Sequence, residues 1–418
     1  MKKIFFIAIC MLLGICINLS ASAAPFIPSQ TDEQAIMAQL LEKSNIQREA
    51  VAANAFFESN LRVDGEGELV YPKSFAGDYI DNEGNLIIQI SSDDFSEYQY
   101  LRDKFSCVKF NRVKYSKEYL RNILDEYLDT CIDNGETLYR AYVDVELNRA
   151  VIEADEHTFS HKLTNDENSP FLFKIGSPIY ALSSLETNPE SATSSISVTS
   201  GDLLTNKKSF FGQRLFSAGI GMINSAGKDI IISCGHGKEV NDKIYFGNTY
   251  IGDVTRVSFS DGALGDYSVI TLNANASSTY NLYGIDSNSE TNTYTISQNK
   301  GVYAPIKGEY VFKCTKNSGV AAFKVETVDV DVFVYSNSDM SETVEIKGQT
   351  AAGLMDAQFM GISGETVKPG DSGSGIFSHS FSGDYFSGII SSYDDSKCTL
   401  YYTPASRVLS FGNIKTKK

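Results

Sequence analysis

The chain has 418 residues, 42% of them hydrophobic and 21% charged, which excludes a disordered or collagen-like protein. Its 36 Lys and Arg against 52 Asp and Glu give a net charge of -16, and this excludes a general nucleic-acid binder, which needs basic surface to displace counterions. The acidity is uneven: residues 24–199 carry -15 and residues 200–418 only -3, so two domains of different character are expected.

The N-terminus carries Lys2 and Lys3, an apolar run from Ile4 to Leu19, then Ser20-Ala21-Ser22-Ala23. This pattern predicts a signal peptide over 1–23, cut after Ala23, and an exported, extracellular product. No later run is apolar over the ~20 residues a spanning helix needs, so no membrane contact is expected after cleavage. Five cysteines remain: Cys107, Cys131, Cys234, Cys314 and Cys398. Export permits disulfides, and Cys107 with Cys131 is the candidate pair inside the acidic region.

Ile36, Leu40, Leu41 and Ile46 recur at helical spacing across 31–60. Phe75 to Ile90 reads as a hairpin turning at 81–85. Glu118 to Cys131 is an amphipathic helix, with Leu120, Ile123, Leu124, Tyr127 and Leu128 on one face. Residues 141–145 and 150–153 read as paired strands across Asn148. Residues 24–199 are therefore expected to be α+β. Their last part, about 183–199, is rich in Ser, Thr, Glu and Asn. It reads as a linker open to nicking, and an ordinary surface loop fits the composition as well. From 208 onward, short strands with Gly, Asn and Ser punctuation predict an all-β sandwich or barrel with no amphipathic helix.

Three segments of the β half carry chemistry. Ile231-Ile232-Ser233-Cys234-Gly235-His236-Gly237 runs a strand into a histidine; Gly265-Asp266-Tyr267 sets an aspartate before a strand; Gly370-Asp371-Ser372-Gly373 places a serine in a glycine-rich turn. A serine hydroxyl needs a base to become a nucleophile, and an imidazole with a near-neutral pKa serves. Only His236 and His379 lie in this half. His236 is favoured, because an apolar strand leads into it. A carboxylate fixes the imidazole tautomer, as Asp266 would. The glycines around Ser372 let the Gly370 and Ser372 amides converge as an oxyanion hole. Cys234 with His236 is a weaker nucleophile pair, because residues so close on one strand diverge. No metal site and no cofactor is expected; no paired Cys-x-x-Cys occurs.

In this order, with His236 30 residues before Asp266 and Ser372 106 after it, the segments resemble the chymotrypsin-like serine endopeptidases. Within that class the chain is similar to the bacterial secreted α-lytic protease/streptogrisin group. Residues 75–81, 84–88, 113–116 and 141–145 resemble the group's large pro-region, Ser200-Gly201-Asp202 the start of its mature enzymes, and 388–392 with 401–404 its C-terminal part. The resemblance implies an all-β catalytic domain of two antiparallel six-stranded barrels over 200–418, preceded by the α+β pro-region. It implies His236 as general base, Asp266 as its orienter, Ser372 as nucleophile and Gly370 with Ser372 as oxyanion hole. Asp371 would pair with a buried group, and Ser391 would hydrogen-bond near Asp266 and the substrate backbone. The pro-region would assist folding and inhibit until removed, leaving a monomeric enzyme with protein or peptide substrates. The specificity pocket would be lined by Thr366, Val367, Ile390, Ser392 and Tyr393, with Ser391 alongside. It lacks a carboxylate at its base, and Ile390 stands where glutamate-preferring relatives carry a histidine, so a small or medium apolar residue before the cut bond is expected. The chain departs from the group at its cysteines. Gly237 follows His236 where a cysteine is usual, and the partner positions of Cys314 and Cys398 fall near Lys324 and Thr366. Ser374 stands where the group carries glycine. A glutamyl-type or other secreted serine hydrolase is a further enzyme reading. A catalytically inactive homologue acting as a secreted binding or adhesion protein is the main alternative.

Overall fold

The computed structural model describes residues 30–64, 69–159, 168–181, 184–185, 196–208, 212–283, 293–295, 304–335, 343–355, 367–380, 383–410 and 414. The expected signal peptide lies outside them.

The N-terminal half is built twice on one plan. Helix α1 (Gln30–Ser59) covers β1 (Phe75–Ile80), β2 (Leu86–Ile90) and β3 (Val108–Arg112). β1 and β2 form the hairpin read from the sequence, and β3 adds parallel to β2. Helix α2 (Lys117–Asp133) covers β4 (Leu138–Asp144), β5 (Arg149–Ala154) and β6 (Phe171–Ile175), again a hairpin with a parallel third strand. Ser116 caps α2, its hydroxyl accepting from the Tyr119 N–H. Leu120, Leu124, Leu128 and Cys131 follow one another at spacings of four, four and three and bury one face against Leu138, Ala141 and Ile152. Cys131 therefore sits in the second core, whereas Cys107 sits in the first, against Leu86, Ile88 and Phe57. The expected Cys107–Cys131 bridge is not formed. Each thiol is held by a different core, and none of the five described cysteines is in a disulfide.

Strand β7 (Ile179–Ala181) follows, then β8 (Ser184–Leu185). Of the expected linker, residues 186–195 lie outside the described residues. Its end is strand β9 (Ile196–Ser200), with Ile196 and Val198 buried in the first barrel. That barrel uses β10 (Leu203–Lys208), β11 (Gly212–Ser217), β12 (Ile220–Ile223), β13 (Asp229–Ser233), β14 (Lys243–Phe246), β15 (Thr249–Ser258) and β16 (Tyr267–Leu272). β11 and β12 are two arms of one bent segment. β11 pairs with β10 and β12 with β13, so the ring β10–β14–β15–β16–β13 closes through the bend. β13 is apolar without alternation because both its faces are covered. Ile231 points into the barrel core, while Ile230 and Ile232 pack in the layer between the barrels.

The second barrel comprises β17 (Tyr310–Thr315), β18 (Gly319–Tyr335), β19 (Thr343–Leu354), β20 (Gly375–Ser380), β21 (Gly383–Asp394) and β22 (Thr399–Pro404). Its antiparallel pairings form a closed six-membered ring, β17–β20–β21–β22–β19–β18–β17. A short helix, α3 (Ala405–Ser410), ends the described fold where only strands were expected. Its Ala405 and Val408 join Phe312, Phe377 and Ile389 between the barrels. Among the described residues no helix is long and apolar enough to cross a membrane.

The N-terminal half grips the second barrel at several places. β4 extends its sheet, pairing Ala141 with Asp331 and Arg140 with Val332, so an edge that would otherwise be open is covered. Leu40 of α1 enters the inter-barrel layer. The Gln47 amide donates to Gly308 O, and the Ile80 N–H to Lys307 O. Gly308 has φ +92 and a Cβ there would lie 2.1 Å from Ile80 O, so only glycine lets the two backbones meet. Beside this contact, a cavity of about 670 Å³ is lined by Glu58, Asp78, Lys117, Arg121, Asp329 and Arg407 among others.

Burial pushes Glu58 up to about 7, helped by Asp78, and Asp78 itself up to about 6. Glu309 is pushed up to about 8 by burial, against hydrogen bonds from the Ile306 N–H and Ser378. Below these values the folded chain keeps the carboxyls neutral while the unfolded chain ionises them near their ordinary values, so stability falls as pH rises between the two. Glu309 gives the widest window: the urea midpoint of the whole chain should fall as pH is raised from 4.5 to about 8 and level off above. Glu309→Gln should flatten that fall, as measured by denaturation at a series of pH values.

Candidate active site

His236 follows β13, Asp266 immediately precedes β16, and Ser372 lies in the turn before β20. The structure brings the first two into direct contact: His236 Nδ1 lies 2.5 Å from Asp266 Oδ2. Asp266 is fully buried, and its carboxylate is saturated. Oδ1 accepts from the Gly235 and His236 N–H groups at 2.6 and 2.8 Å, and Oδ2 also accepts from Ser391 Oγ at 2.7 Å. Its own N–H donates to Thr403 Oγ1 at 2.8 Å. Burial raises the Asp266 pKa, but the His236 charge and these donors outweigh it and hold the carboxyl below its ordinary value. Burial opposes the imidazolium, but Asp266 and then Cys234, each by charge and hydrogen bond, together outweigh it and raise His236 above the usual imidazole range.

Ser372 faces His236 across a small cavity that both line. His236 Nε2 has no nitrogen or oxygen partner among the described residues. Ser372 Oγ lies 3.6 Å from Cys234 Sγ. The structure thus places Cys234 and His236 on one cavity instead of diverging. The backbone reverses at His236–Gly237, where the Lys238 N–H donates to Gly235 O, so β-strand alternation stops at Ser233. Lys238 Nζ donates to Cys234 Sγ and to Cys234 O, both at 2.9 Å, and sits 3.6 Å from the Phe216 ring centre.

The Ser372 turn is pinned from beneath. Asp371 and Lys313 form an ion pair at 3.2 Å with both side chains fully buried. Asp371 also accepts from Thr315 Oγ1 at 2.9 Å, Asn317 Nδ2 at 3.1 Å, Lys368 N at 3.0 Å and Ser318 Oγ. Ser217 donates twice to the turn, N–H to Ser372 O and Oγ to Gly370 O, each at 2.8 Å. Gly373 has φ +87, and a Cβ would lie 2.2 Å from Ser233 Oγ, so the turn admits no side chain there. The N–H groups of Gly370 and Ser372 make no hydrogen bond among the described residues.

Val367, Ile390 and Tyr393 share one apolar cluster with Phe323, Ile376 and Tyr402. Ser391 turns away toward Asp266, and Ser392 is buried. Thr366 lies outside the described residues. His379 sits on β20 opposite Asp384. β7 runs antiparallel to β21, pairing Ala181 with Ser392 and Tyr180 with Tyr393, and parallel to β18 on its other side. Sequence reasoning did not find Thr403, Lys238 or Lys313. Lys313 had a signal: it is the one charged residue inside the apolar strand Tyr310–Thr315.

Residues 39–120 match the protein family described as Pro-like N-terminal domain. No curated protein matches the chain. Among solved structures, the chain is similar to Nocardiopsis protease at 18% identity, covering 53% of this chain and 100% of that one, with a TM-score of 0.41. It is similar to Thermobifida fusca protease A at 13% identity, with 53% and 98% covered and a TM-score of 0.40. The corresponding values for Cellulomonas bogoriensis chymotrypsin are 16%, 53%, 99% and 0.39.

Removing Lys313 would leave the Asp371 charge buried without its counter-charge, a change that costs about 3–5 kcal/mol. Lys313→Met should lower unfolding free energy by about that amount in urea, with Lys313→Arg losing much less.

Proposed function

We propose that this chain is the precursor of an exported serine endopeptidase. The observation that carries the reading is the buried array Ser391–Asp266–His236, opening at His236 Nε2 onto the cavity that Ser372 lines. Asp266 holds the proton on Nδ1, and Nε2 becomes the base once its own proton has passed to the Cys234 thiolate. For attack, the Ser372 hydroxyl leaves Cys234 Sγ and donates to Nε2. Its oxygen adds to the scissile carbonyl, and the unengaged N–H groups of Gly370 and Ser372 receive the oxyanion. Imidazolium then protonates the leaving amine, and water repeats the sequence on the acyl-enzyme. No cofactor or metal enters these steps.

Residues 24–199 serve as the pro-region, folding partner and inhibitor of 200–418. Strand β7 lies on Ser392 and Tyr393 as an extended substrate would, by backbone pairing. The apolar cluster of Val367, Ile390 and Tyr393 favours a small or medium apolar residue before the cut bond. A signal peptide over 1–23 delivers the precursor outside the cell.

The purified native precursor should shorten itself within residues 185–200 and react with a fluorophosphonate probe at Ser372. Ser372→Ala should do neither, with turnover reduced on the order of 10⁶-fold. Identical behaviour of the two forms would favour the inactive binding homologue instead. Cleavage profiling on a peptide library should show small or medium apolar residues before the cut bond. Dominance of Arg, Lys or Glu there would overturn the assigned specificity.

A further inference from the structure

The cavity beside Ser372 holds a thiol that the proposed hydrolysis does not use. Cys234 is fully buried, with Lys238 Nζ at 2.9 Å and Ser372 Oγ at 3.6 Å from its sulfur. Burial raises the thiol pKa, but His236 and then Lys238 outweigh it and hold the group below the ordinary thiol range. A thiolate so placed is the reactive form of cysteine. Two further observations concern the space around it. Cys234, His236, Lys238 and Ser372 line a void of about 10 Å³, close to what one oxygen-sized guest needs. His236, buried to about 95%, lines the same void and hydrogen-bonds the Cys234 thiol.

We propose that Cys234 is a modification site, oxidised by hydrogen peroxide and then closed by Lys238 into a covalent S–N link that silences Ser372. The functional consequence rests on the serine-hydrolase reading; the link itself does not.

The chemistry balances without further reagents. The thiolate sulfur attacks one peroxide oxygen. An S–O bond forms, the O–O bond breaks and hydroxide leaves; sulfur is oxidised by two electrons and the peroxide is reduced. Hydroxide takes one proton from the Lys238 ammonium, giving water. The freed Nζ attacks sulfur, the S–N bond forms and the S–O bond breaks, and the departing hydroxyl carries off a second Nζ proton as water. The two side chains together lose two hydrogens. Condensation of a sulfenic acid with a nearby nitrogen is established cysteine chemistry. Two equivalents of an external thiol restore Cys234 and Lys238 and leave as a disulfide. The link ties the Cys234 sulfur to the side chain beside Phe216 and fixes it against Ser372 Oγ, where the hydroxyl must turn toward His236.

The test treats the purified full-length chain with hydrogen peroxide. A single peptide spanning 234–238 should appear two hydrogens lighter and revert with dithiothreitol. Fluorophosphonate labelling of Ser372 should be lost and should return on the same treatment. Lys238→Arg should give no such peptide, its Cys234 instead being trapped by dimedone as sulfenic acid. Cys234→Ala, compared with its own untreated sample, should keep its labelling in peroxide. Exposed Cys398 serves as the internal control for oxidation elsewhere. Absence of the lighter peptide from the native chain overturns the proposal, as does equal loss of labelling in Cys234→Ala. Failure of untreated native chain to label at all sinks the hydrolase reading, and the peptide mass still decides the link.

Discussion

The Asp266 carboxylate is the joint on which the site depends. It belongs to the first barrel, yet Ser391 and Thr403, which hold it, belong to the second. Through Gly235 and His236 it also fixes the loop that carries the imidazole. A buried carboxylate is costly unless fully hydrogen-bonded. Here the donors that satisfy it come from both barrels, so the requirement for satisfaction is also a requirement for correct docking. The apolar layer of Ile230, Ile232, Phe312, Phe377 and Ile389 brings the barrels together without direction. Asp266 supplies the direction.

The second barrel carries a similar demand under Ser372. Lys313 and Asp371 have no contact with water, and their neighbours Thr315, Asn317 and Ser318 arrive on the turn joining β17 to β18. One hairpin thus sets the height of the serine turn. The same barrel receives the N-terminal half, which adds β4 to β18 and lays β7 between β18 and β21. The protein's acidity is concentrated in that added half, while residues 200–418 are near neutral.

Much of this was legible in the sequence where the cause is local. The spacing of Leu120, Leu124 and Leu128 marks α2, and the 81–85 turn marks the β1–β2 hairpin. The order of His236, Asp266 and Ser372, each at the end of a strand signal, marked the place of the site. What was not legible is set by distance along the chain. Cys107 and Cys131 lie 24 residues apart, but which core each enters depends on helices packing over separate sheets. Lys238 meets Cys234 only because the backbone reverses at His236–Gly237. Short α3 has too few residues for a periodic signal, and its two buried side chains find their partners in the inter-barrel layer.

The hydrogen bonds that assemble the site join residues far apart in sequence: Ser391 to Asp266 across 125 positions, Asp266 to Thr403 across 137, and Ser217 to Gly370 across 153. Loop-closure entropy must be overcome before such contacts reward the chain, which makes formation slow. It also makes competence a late event. A chain still emerging from synthesis lacks β21 and β22, so Asp266 has neither Ser391 nor Thr403 and the imidazole has no fixed orientation. A partly folded molecule therefore lacks the buried Ser391–Asp266–His236 array, which is complete only when the last strand of the second barrel is in place.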